Sequence, residues 1–273
     1  THPVFRAVGE EADRKGQSAF AIGGFVRDML LGRPSKDIDI VVEGSGIELA
    51  KAVAKVLGAG KVSVFKNFGT AMFCHGDMEV EFVGARKESY ERGSRKPIVE
   101  DGSIEDDQNR RDFTINAMAF RLNSDGFGDL VDPFDGLTDL EEKTLRTPLD
   151  PDVTFSDDPL RMMRAVRFAS QLGFHVEKKS LDSIERNANR LDIISAERIH
   201  VELNKILLSE RPSVGFKLMF NTTLLHRFFP EMVDLKGVER KNGIGHKDNF
   251  YHTLEVVDNV SETSDHLWLR WAA

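Results

Sequence analysis

The sequence has one cysteine and no long hydrophobic run, and each shortage excludes a class of protein. Cys74 is the only cysteine in 273 residues, which excludes an intramolecular disulfide and a cysteine-rich zinc site. We expect it to be a small buried residue in a strand. The longest apolar runs, such as Ala19–Ile22 and Ile38–Val42, fall far short of the ~20 residues that span a bilayer, and no charged-then-apolar leader precedes Pro3. We therefore expect a cytoplasmic protein without a membrane partner.

The chain also lacks the excess of positive charge that gives a protein a basic surface all over. Its formal net charge is −8 at pH 7. Nucleic acid is still not excluded as a partner, because binding depends on where Lys and Arg lie rather than on their total. They cluster over residues 86–111, and Arg161, Arg164 and Arg167 recur at every third position.

Two kinds of hydrophobic pattern divide the chain. Residues 1–136 alternate between helix-like and strand-like segments and predict a mixed α/β domain, whereas apolar residues from Leu137 onward recur every three or four positions and predict an all-α part without strands. We place a helical region at 137–240 and the start of a further helical domain at 241–273. The charged stretch Lys87–Asp107 is predicted to be a loop. The predicted strands are Ser18–Ile22, Asp37–Val42, Lys61–Phe65, Thr70–Cys74 and Met78–Gly84; the predicted helices of the first domain are Val4–Lys15, one beginning near Phe25, and Ile47–Leu57.

Asp37 and Asp39 lie two residues apart in a predicted strand. Side chains at this spacing share one face, while Ile38 and Ile40 point to the other. Paired carboxylates suit Mg²⁺, which takes few protein ligands besides phosphate oxygens and water. A third acid is usual on a neighbouring strand, and of the two candidates there, Glu79 and Glu81, we choose Glu81. The alternative for an isolated Asp-x-Asp is a solvated or capping pair.

The glycine pair Gly23-Gly24 comes before the acidic pair. Glycines at a strand-to-helix turn let the backbone approach a ligand closely, and the amide hydrogens of the turn favour phosphate. Arg27 would then reach the same phosphates. Together with Asp37 and Asp39, this arrangement predicts a site for a nucleoside triphosphate and its metal ions.

Several ordered motifs resemble those of the class II tRNA nucleotidyltransferase and bacterial poly(A) polymerase family. The first is Gly-Gly-Phe-Val-Arg-Asp at 23–28 followed by Asp-Ile-Asp at 37–39. The next are Arg-Arg-Asp-Phe-Thr-Ile-Asn-Ala at 110–117 and Asp-Pro-Phe-Asp-Gly at 132–136. The last are Asp-Asp-Pro-Leu-Arg-Met-Met-Arg-Ala-Val-Arg-Phe at 157–168 and Ser-Ala-Glu-Arg-Ile at 195–199 with Glu202-Leu203.

The resemblance implies a fold, a set of substrates and a set of residues. The fold is a polymerase-β-like nucleotidyltransferase head followed by a helical neck and body. The substrates are CTP, ATP and the 3′ end of a tRNA, and the cofactor is Mg²⁺, held by Asp37 and Asp39, with Glu81 as our choice of a further catalytic acid. The implied nucleotide contacts are Gly24, Arg27, Arg111, Asp158, Arg161, Arg164 and Arg167.

Helix geometry supports the role that the resemblance gives to the fourth motif. Positions 158, 161, 164 and 167 of one helix would form a slowly drifting stripe about 13 Å long. Asp158 can accept from the exocyclic amine of cytosine or adenine, and Arg161 can donate to the adjacent ring acceptor, whereas guanine and uracil present a carbonyl in place of that amine. Arg164 and Arg167 would lie toward the ribose or phosphates. The alternative is a solvent-facing helix side with Asp–Arg pairs.

The loop and the C-terminal end carry weaker signals. Basic residues of the loop either meet RNA phosphates or are simply solvated; they are Arg86, Lys87, Arg92, Arg95 and Lys96. Residues 245–258 resemble the opening of an HD-type phosphohydrolase domain, but the adjacent His-Asp pair that such a site needs does not follow. We therefore expect a C-terminally truncated chain in which His252 is an orphan ligand without hydrolase activity.

The predicted function is template-independent addition of CCA to the 3′ end of tRNA from CTP and ATP by two-metal-ion chemistry. A poly(A) polymerase, or an enzyme that adds only CC or only A, has the same motifs. A noncatalytic RNA-binding module is the remote alternative. The clustered like charges disfavour it, because a module without catalysis has no physical need for them.

Overall fold

The computed structural model describes residues 2–89, 98–241 and 244–273. The described chain divides into two compact units, and the boundary along the chain falls between Glu142 and Lys143. None of the helices in these ranges has the length and hydrophobicity that crossing a bilayer requires. The three domains drawn from the sequence remain a prediction.

Helices and strands of the first unit alternate as far as Val56, and strands then follow one another, as the sequence predicted. Its strands are β1 (Ala19–Ile22), β2 (Asp37–Val42), β3 (Ser63–Phe65), β4 (Thr70–His75), β5 (Met78–Gly84), β6 (Arg86–Ser89), β7 (Ile98–Asp101), β8 (Ala119–Arg121) and β9 (Leu130–Val131). Its helices are α1 (Pro3–Lys15), α2 (Gly24–Leu30), α3 (Gly46–Val56), α4 (Ile104–Asn109), α5 (Thr114–Ala117) and α6 (Gly136–Glu141).

A mixed sheet forms the centre of the first unit. Its strand order is β3-β4-β5-β2-β1-β8-β9, and every pairing is antiparallel except that of β2 with β5. One face of the sheet packs against α1 and α3 through a core of alternating strand residues, among them Ile38, Ile40, Val80 and Phe82. Because side chains alternate along a strand, the other residues of β2 and β5 point to the opposite face of the sheet.

The charged stretch predicted to be a loop has more structure than the sequence suggested. Its described parts form the β6–β7 hairpin and α4, which begins with a capping box between Ser103 and Asp106. Arg92, Arg95 and Lys96, for which RNA contact and simple solvation are the two alternatives, lie outside the described residues. Cys74 was also predicted wrongly: it is exposed, because β4 turns it to the face that α1 and α3 leave uncovered.

The second unit is mainly helical. Its helices are α7 (Pro151–Asp157), α8 (Leu160–Leu172), α9 (Lys178–Asn187), α10 (Ala196–Leu207), α11 (Pro212–Asn221), α12 (Leu225–Phe228), α13 (Pro230–Asp234), α14 (Asn249–Ser261) and α15 (Leu267–Ala272). The prediction of a strand-free second half was wrong. Two short pairs occur there: β10 (Thr144–Leu145) with β11 (His175–Val176), and β12 (Val238–Lys241) with β13 (Ile244–Asp248).

The core of the first unit predicts a large effect for one substitution. Phe82 is fully buried and stacks on Phe73, with 5.6 Å between ring centroids. We expect Phe82→Ala to lower the free energy of unfolding by about 3–5 kcal/mol, because it removes buried apolar surface and leaves a cavity. Urea titration measures the change. Phe68→Ala is the matched control: Phe68 is 70% exposed, so its loss should change stability by less than about 0.5 kcal/mol. Equal effects of the two substitutions would contradict the assigned core.

Candidate functional site

The parallel pairing of β2 with β5 brings acidic side chains together on the face of the sheet opposite to α1 and α3. Asp37 lies beside Glu79 and Asp39 beside Glu81, in register. Ile38 and Ile40 are buried in the core on the other face. The predicted neighbours Asp39 and Glu81 thus lie on adjacent strands and face the same way. The catalytic role of Glu81, and the choice between it and Glu79, remain predictions.

Charge and burial shift the pKa values of two of these acids. Burial raises the pKa of Asp39 above its ordinary value; the Arg111 guanidinium lowers it, while the charges of Asp37 and Asp107 raise it further. Partial burial likewise raises the pKa of Glu81, with the charges of Asp39 and Glu79 adding to the rise. The ionised forms of Asp39 and Glu81 are therefore less favourable in the folded protein than in water.

Gly23 forms the corner between the acids and Arg111. Its backbone has a φ of +82°, which favours glycine. A Cβ at this position would lie 2.8 Å from Nη1 of Arg111 and 3.4 Å from Oδ2 of Asp39. The absence of a side chain lets the turn, the guanidinium and the carboxylate approach one another, so one positive group is in place where the resemblance implies triphosphate binding.

Arg27 lies on the same turn but is already held by neighbours. Its Nε and Nη2 donate to Asp28, both at 2.9 Å, and its Nη1 donates to Oδ1 of Asn116 at 2.8 Å. Asn116 in turn donates to Asp112 at 3.0 Å. This network joins the glycine turn of α2 to the segment that follows Arg111. Contact of Gly24 and Arg27 with a triphosphate remains a prediction.

Asp107 is a site residue that the sequence reading missed. It is fully buried and accepts from Nε of both neighbouring arginines, at 2.9 Å from Arg110 and 3.1 Å from Arg111. Its spacing of three and four residues before these arginines is the spacing at which helix side chains meet. The sequence carries this spacing, but spacing alone does not show that the carboxylate is buried.

The acidic residues fit a hard divalent cation. Their donors are carboxylate oxygens, and Mg²⁺ takes one or two carboxylates together with substrate phosphates. In the ranges described by the structure, no group of three or more His, Cys, Asp or Glu side chains is placed to hold a metal ion. Asp37 and Asp39 are the protein ligands that we propose.

In the second unit, Asp158 does not lie on the helix that carries the arginines, and this corrects the stripe inferred from the sequence. α8 begins only at Leu160, after Pro159, and Asp158 has an extended backbone. Its Oδ1 accepts from the amide of Leu160 at 3.2 Å, and its Oδ2 lies 3.7 Å from Nη2 of Arg198. The acid sits at the entrance to α8 because proline interrupts the helix there.

The three arginines of α8 differ in their surroundings. Arg161 is buried and donates to the carbonyl of Thr154 at 3.2 Å. Arg164 and Arg167 both lie over the ring of Phe168, at 5.5 and 4.1 Å, and Arg167 also pairs with Glu202 of α10 at 2.6 Å. The contacts of these residues with a nucleotide remain a prediction.

One sizeable cavity of the second unit, of about 550 Å³, involves none of the predicted site residues. It is lined mainly by apolar and aromatic side chains, including Ile194, Ile199, His200, Leu203, Phe229 and Trp271. The Trp271 ring lies 5.9 Å from that of His200 and is held by a hydrogen bond from its Nε1 to Asn204 at 2.8 Å.

Two family models match the chain. Residues 19–146 match the "Poly A polymerase head domain", and residues 173–235 match the "Probable RNA and SrmB- binding site of polymerase A". A solved structure of a tRNA nucleotidyltransferase complexed with a primer tRNA and an incoming ATP analog aligns with 97% of this chain and 73% of that one. It is 32% identical, with a TM-score of 0.77. These matches confirm the predicted fold class, a nucleotidyltransferase head followed by a helical region.

Curated relatives carry several related activities. The chain is 40% identical over 231 residues to the CCA-adding enzyme of Pediococcus pentosaceus. The alignment covers 84% of this chain and 56% of that protein. It is 38% identical over 237 residues to the A-adding tRNA nucleotidyltransferase of Geobacter sulfurreducens. This alignment covers 85% of this chain and 26% of that protein. The chain thus spans between about a quarter and somewhat over half of the length of these relatives.

The raised pKa of Asp39 predicts an increase in stability when its charge is removed. In metal-free buffer at pH 7, Asp39→Asn should raise the unfolding midpoint, because the folded state holds the ionised carboxylate less favourably than the unfolded state does. A raised folded pKa means that protonation favours the fold. The advantage of the variant should therefore shrink as the pH falls through that pKa, where the wild-type carboxyl also becomes neutral. Thermal unfolding followed by circular dichroism measures both effects.

Asp13→Asn is the control of opposite sign. Hydrogen bonds from Ser124 and then Asn123 lower the pKa of Asp13, so its carboxylate adds stability that is lost as the pH falls through the lowered value. This variant should be less stable than the wild type at pH 7, with a difference that also closes in acid. A lower midpoint for Asp39→Asn at pH 7 would rule out an under-neutralised Asp39.

Proposed function

The chain belongs to the family of tRNA nucleotidyltransferases and poly(A) polymerases, and from that membership we propose that it adds nucleotides from CTP and ATP to the 3′ end of tRNA, completing CCA. The observation that carries this proposal is the corner in which Asp39, in register with Glu81, faces Arg111 across Gly23. It combines acids for metal ions with a guanidinium for phosphate on a surface that the core helices leave uncovered.

Substrates and partners follow from what the relatives bind. A structurally similar protein carries a primer tRNA and an ATP analog, and others are described with ATP and with CTP. We propose the same classes of substrate for this chain, together with the cytoplasmic location in which such an RNA would be met. The chain spans only part of the length of its curated relatives. The activity of those whole proteins is therefore proposed for this chain.

The family generally uses divalent metal ions, and we propose Mg²⁺ held by Asp37 and Asp39. When bound, such ions lower the pKa of an attacking hydroxyl and neutralise the charge that develops on a leaving pyrophosphate. The protein holds these two carboxylates rigidly, since Ile38 and Ile40 anchor the same strand in the core. Glu81 would extend the acidic surface on the neighbouring strand.

The basic residues of the first unit would bind the triphosphate. Arg111 presents Nη1 at the Gly23 corner, where a phosphate tail would meet both the guanidinium and the turn. Gly24 begins α2, and Arg27 anchors that helix to Asn116. Because Arg27 already donates to Asp28 and Asn116, we propose that it both holds the glycine turn in place and attracts the phosphates by its charge.

The second unit would select the base. Asp158 would accept from the exocyclic amine of cytosine or adenine, and Arg161 would donate to the adjacent ring acceptor. To meet a base, Asp158 would leave a long ion pair with Arg198, whereas Arg161 is buried and donates to the carbonyl of Thr154. Arg164 and Arg167 would lie toward the ribose or phosphates.

Addition of A alone is the second candidate function. The A-adding enzyme of Geobacter sulfurreducens matches as much of this chain, at similar identity, as the CCA-adding enzyme of Pediococcus pentosaceus does. The two activities share the chemistry of the acidic corner and differ in which RNA end and which base are accepted.

Incubation with defined RNA ends separates these functions. A tRNA ending before CCA and a tRNA ending in CC are each incubated with a single radiolabelled triphosphate and resolved on a denaturing gel. We expect C addition to the first and A addition to the second. Asp37→Ala should reduce both by about a thousandfold or more, because it removes a metal ligand that supplies several kcal/mol of transition-state stabilisation.

The control for Asp37→Ala is Glu48→Ala, which removes an exposed carboxylate that pairs with Lys51 on the same helix, α3. It should leave incorporation unchanged. A addition without any C addition would favour the second candidate, whereas long A tails on unrelated RNA would reject tRNA end repair. Full activity of Asp37→Ala would remove the proposed role of the acidic pair.

Asp158→Ala should change the choice of base more than the rate of phosphate chemistry. The substitution removes the acceptor that distinguishes an amine from a carbonyl, so we expect the preference for CTP over UTP to fall by about tenfold to a hundredfold, the value of one hydrogen bond to a charged group. Single-turnover incorporation of each triphosphate measures it. Asp182→Ala, which removes an exposed carboxylate of α9 paired with Lys178, is the control. Equal losses with all triphosphates would contradict base reading by Asp158.

A further inference from the structure

Arg111 uses one edge of its guanidinium to bind a buried carboxylate. Nε and Nη2 lie 3.1 and 3.0 Å from the same oxygen, Oδ2 of Asp107. The remaining nitrogen, Nη1, points the other way. It donates to the carbonyl of Asn116 at 3.3 Å and lies at the Gly23 corner. Because a guanidinium is planar and rigid, fixing the Nε–Nη2 edge also fixes the direction of Nη1.

Asp107 is itself held from its other side. Its Oδ1 accepts from Nε of Arg110 at 2.9 Å, and Nη1 of Arg110 lies 3.3 Å from Glu88 on β6. Glu88 also pairs with Arg86 at 2.8 Å. The side chains of Asp107 and Glu88 are nearly inaccessible to solvent. A line of alternating charges thus runs from the β6–β7 hairpin through Arg110 and Asp107 to Arg111.

We propose that Asp107 is a positioning residue that aims Arg111 at the triphosphate, and that the Glu88–Arg110 pair holds Asp107 in place. This inference rests on the proposed function, because it presumes that phosphate binds at the Gly23 corner. In this role Asp107 acts through Arg111, whose Nη1 is the atom that lies at the Gly23 corner. The hairpin is thereby linked to the phosphate site by ion pairs of low solvent exposure, which are screened less than those on the surface.

A purely structural carboxylate would behave differently from a positioning one. Removing a structural carboxylate lowers stability and leaves phosphate affinity as it was. Removing a positioning carboxylate weakens phosphate binding, and only while the residue that it positions is intact. The non-additivity of two substitutions therefore decides between the roles.

The test compares Asp107→Asn, Arg111→Lys and the double variant. Lysine keeps the charge of Arg111 but cannot present one edge to Asp107 and another to the corner. We expect Asp107→Asn to raise the KM for CTP about tenfold, the effect of losing one charge-assisted hydrogen bond, with kcat changed by less than about threefold, since the interaction serves substrate and transition state alike. The double variant should be no worse than Arg111→Lys alone.

The matched control is Asp139→Asn, which alters another buried carboxylate of the first unit, one that accepts from Thr114 at 2.7 Å. It should lower the unfolding midpoint without changing the KM. Should Asp107→Asn fail to fold, Glu88→Gln replaces it. This variant loosens Arg110 and should raise the KM for CTP about threefold, near the lower end of the coupling energies measured for neighbouring residues. The increase should again occur only when Arg111 is intact.

Inorganic tripolyphosphate provides a readout that does not need catalysis. Its affinity for each folded variant is measured by calorimetry, and we expect the same order and the same non-additivity as for the KM. If the wild-type protein binds tripolyphosphate but incorporates no nucleotide, the proposed function is wrong while the positioning role is still decided by this binding series. Unchanged affinity in folded Asp107→Asn and Glu88→Gln, or additive losses in the double variant, would overturn the inference.

Discussion

The in-register parallel pairing of β2 with β5 is the constraint on which the candidate site depends. Alternation along both strands sends Ile38, Ile40, Val80 and Phe82 into the core beneath α1 and α3, and thereby turns the acids to the opposite face. Slipping either strand by one residue would bury carboxylates and expose the core. The apolar residues therefore do more than stabilise the unit, because they set where its negative charge lies.

That concentration of charge explains the arrangement of arginines around it. Burial and the neighbouring acids raise the pKa of Asp39, while Arg111 lowers it. A guanidinium that could rotate freely would pair with the nearest carboxylate of the site. Asp107 instead binds one edge of Arg111, so that the other edge lies at Gly23. Buried ion pairs contribute little net stability, since desolvation offsets their attraction. Their value here is orientation.

Several features were predictable because they are local. The period-two pattern of Asp37–Val42 and Met78–Gly84 placed both strands with the ends found in the structure, and the glycine turn and α2 followed where expected. Other features depend on distant partners. β10 and β11 are only two residues long and lie some thirty residues apart, so neither has a periodic signal. The exposure of Cys74 depends on which face of β4 the helices cover, and the strand's own residues do not specify this.

The sequence by itself determined the nucleotidyltransferase family, the two acids on one strand face and the glycine turn beside them, because each depends on residues within a few positions of one another. Only the tertiary structure decided which partners the charges have. It set Glu81 beside Asp39, gave Asp107 to Arg111 and Glu202 to Arg167, and removed Asp158 from the helix of the arginines. The physical reason is that charge pairing and burial are set by elements far apart along the chain, whereas periodicity and turn chemistry are properties of the local backbone.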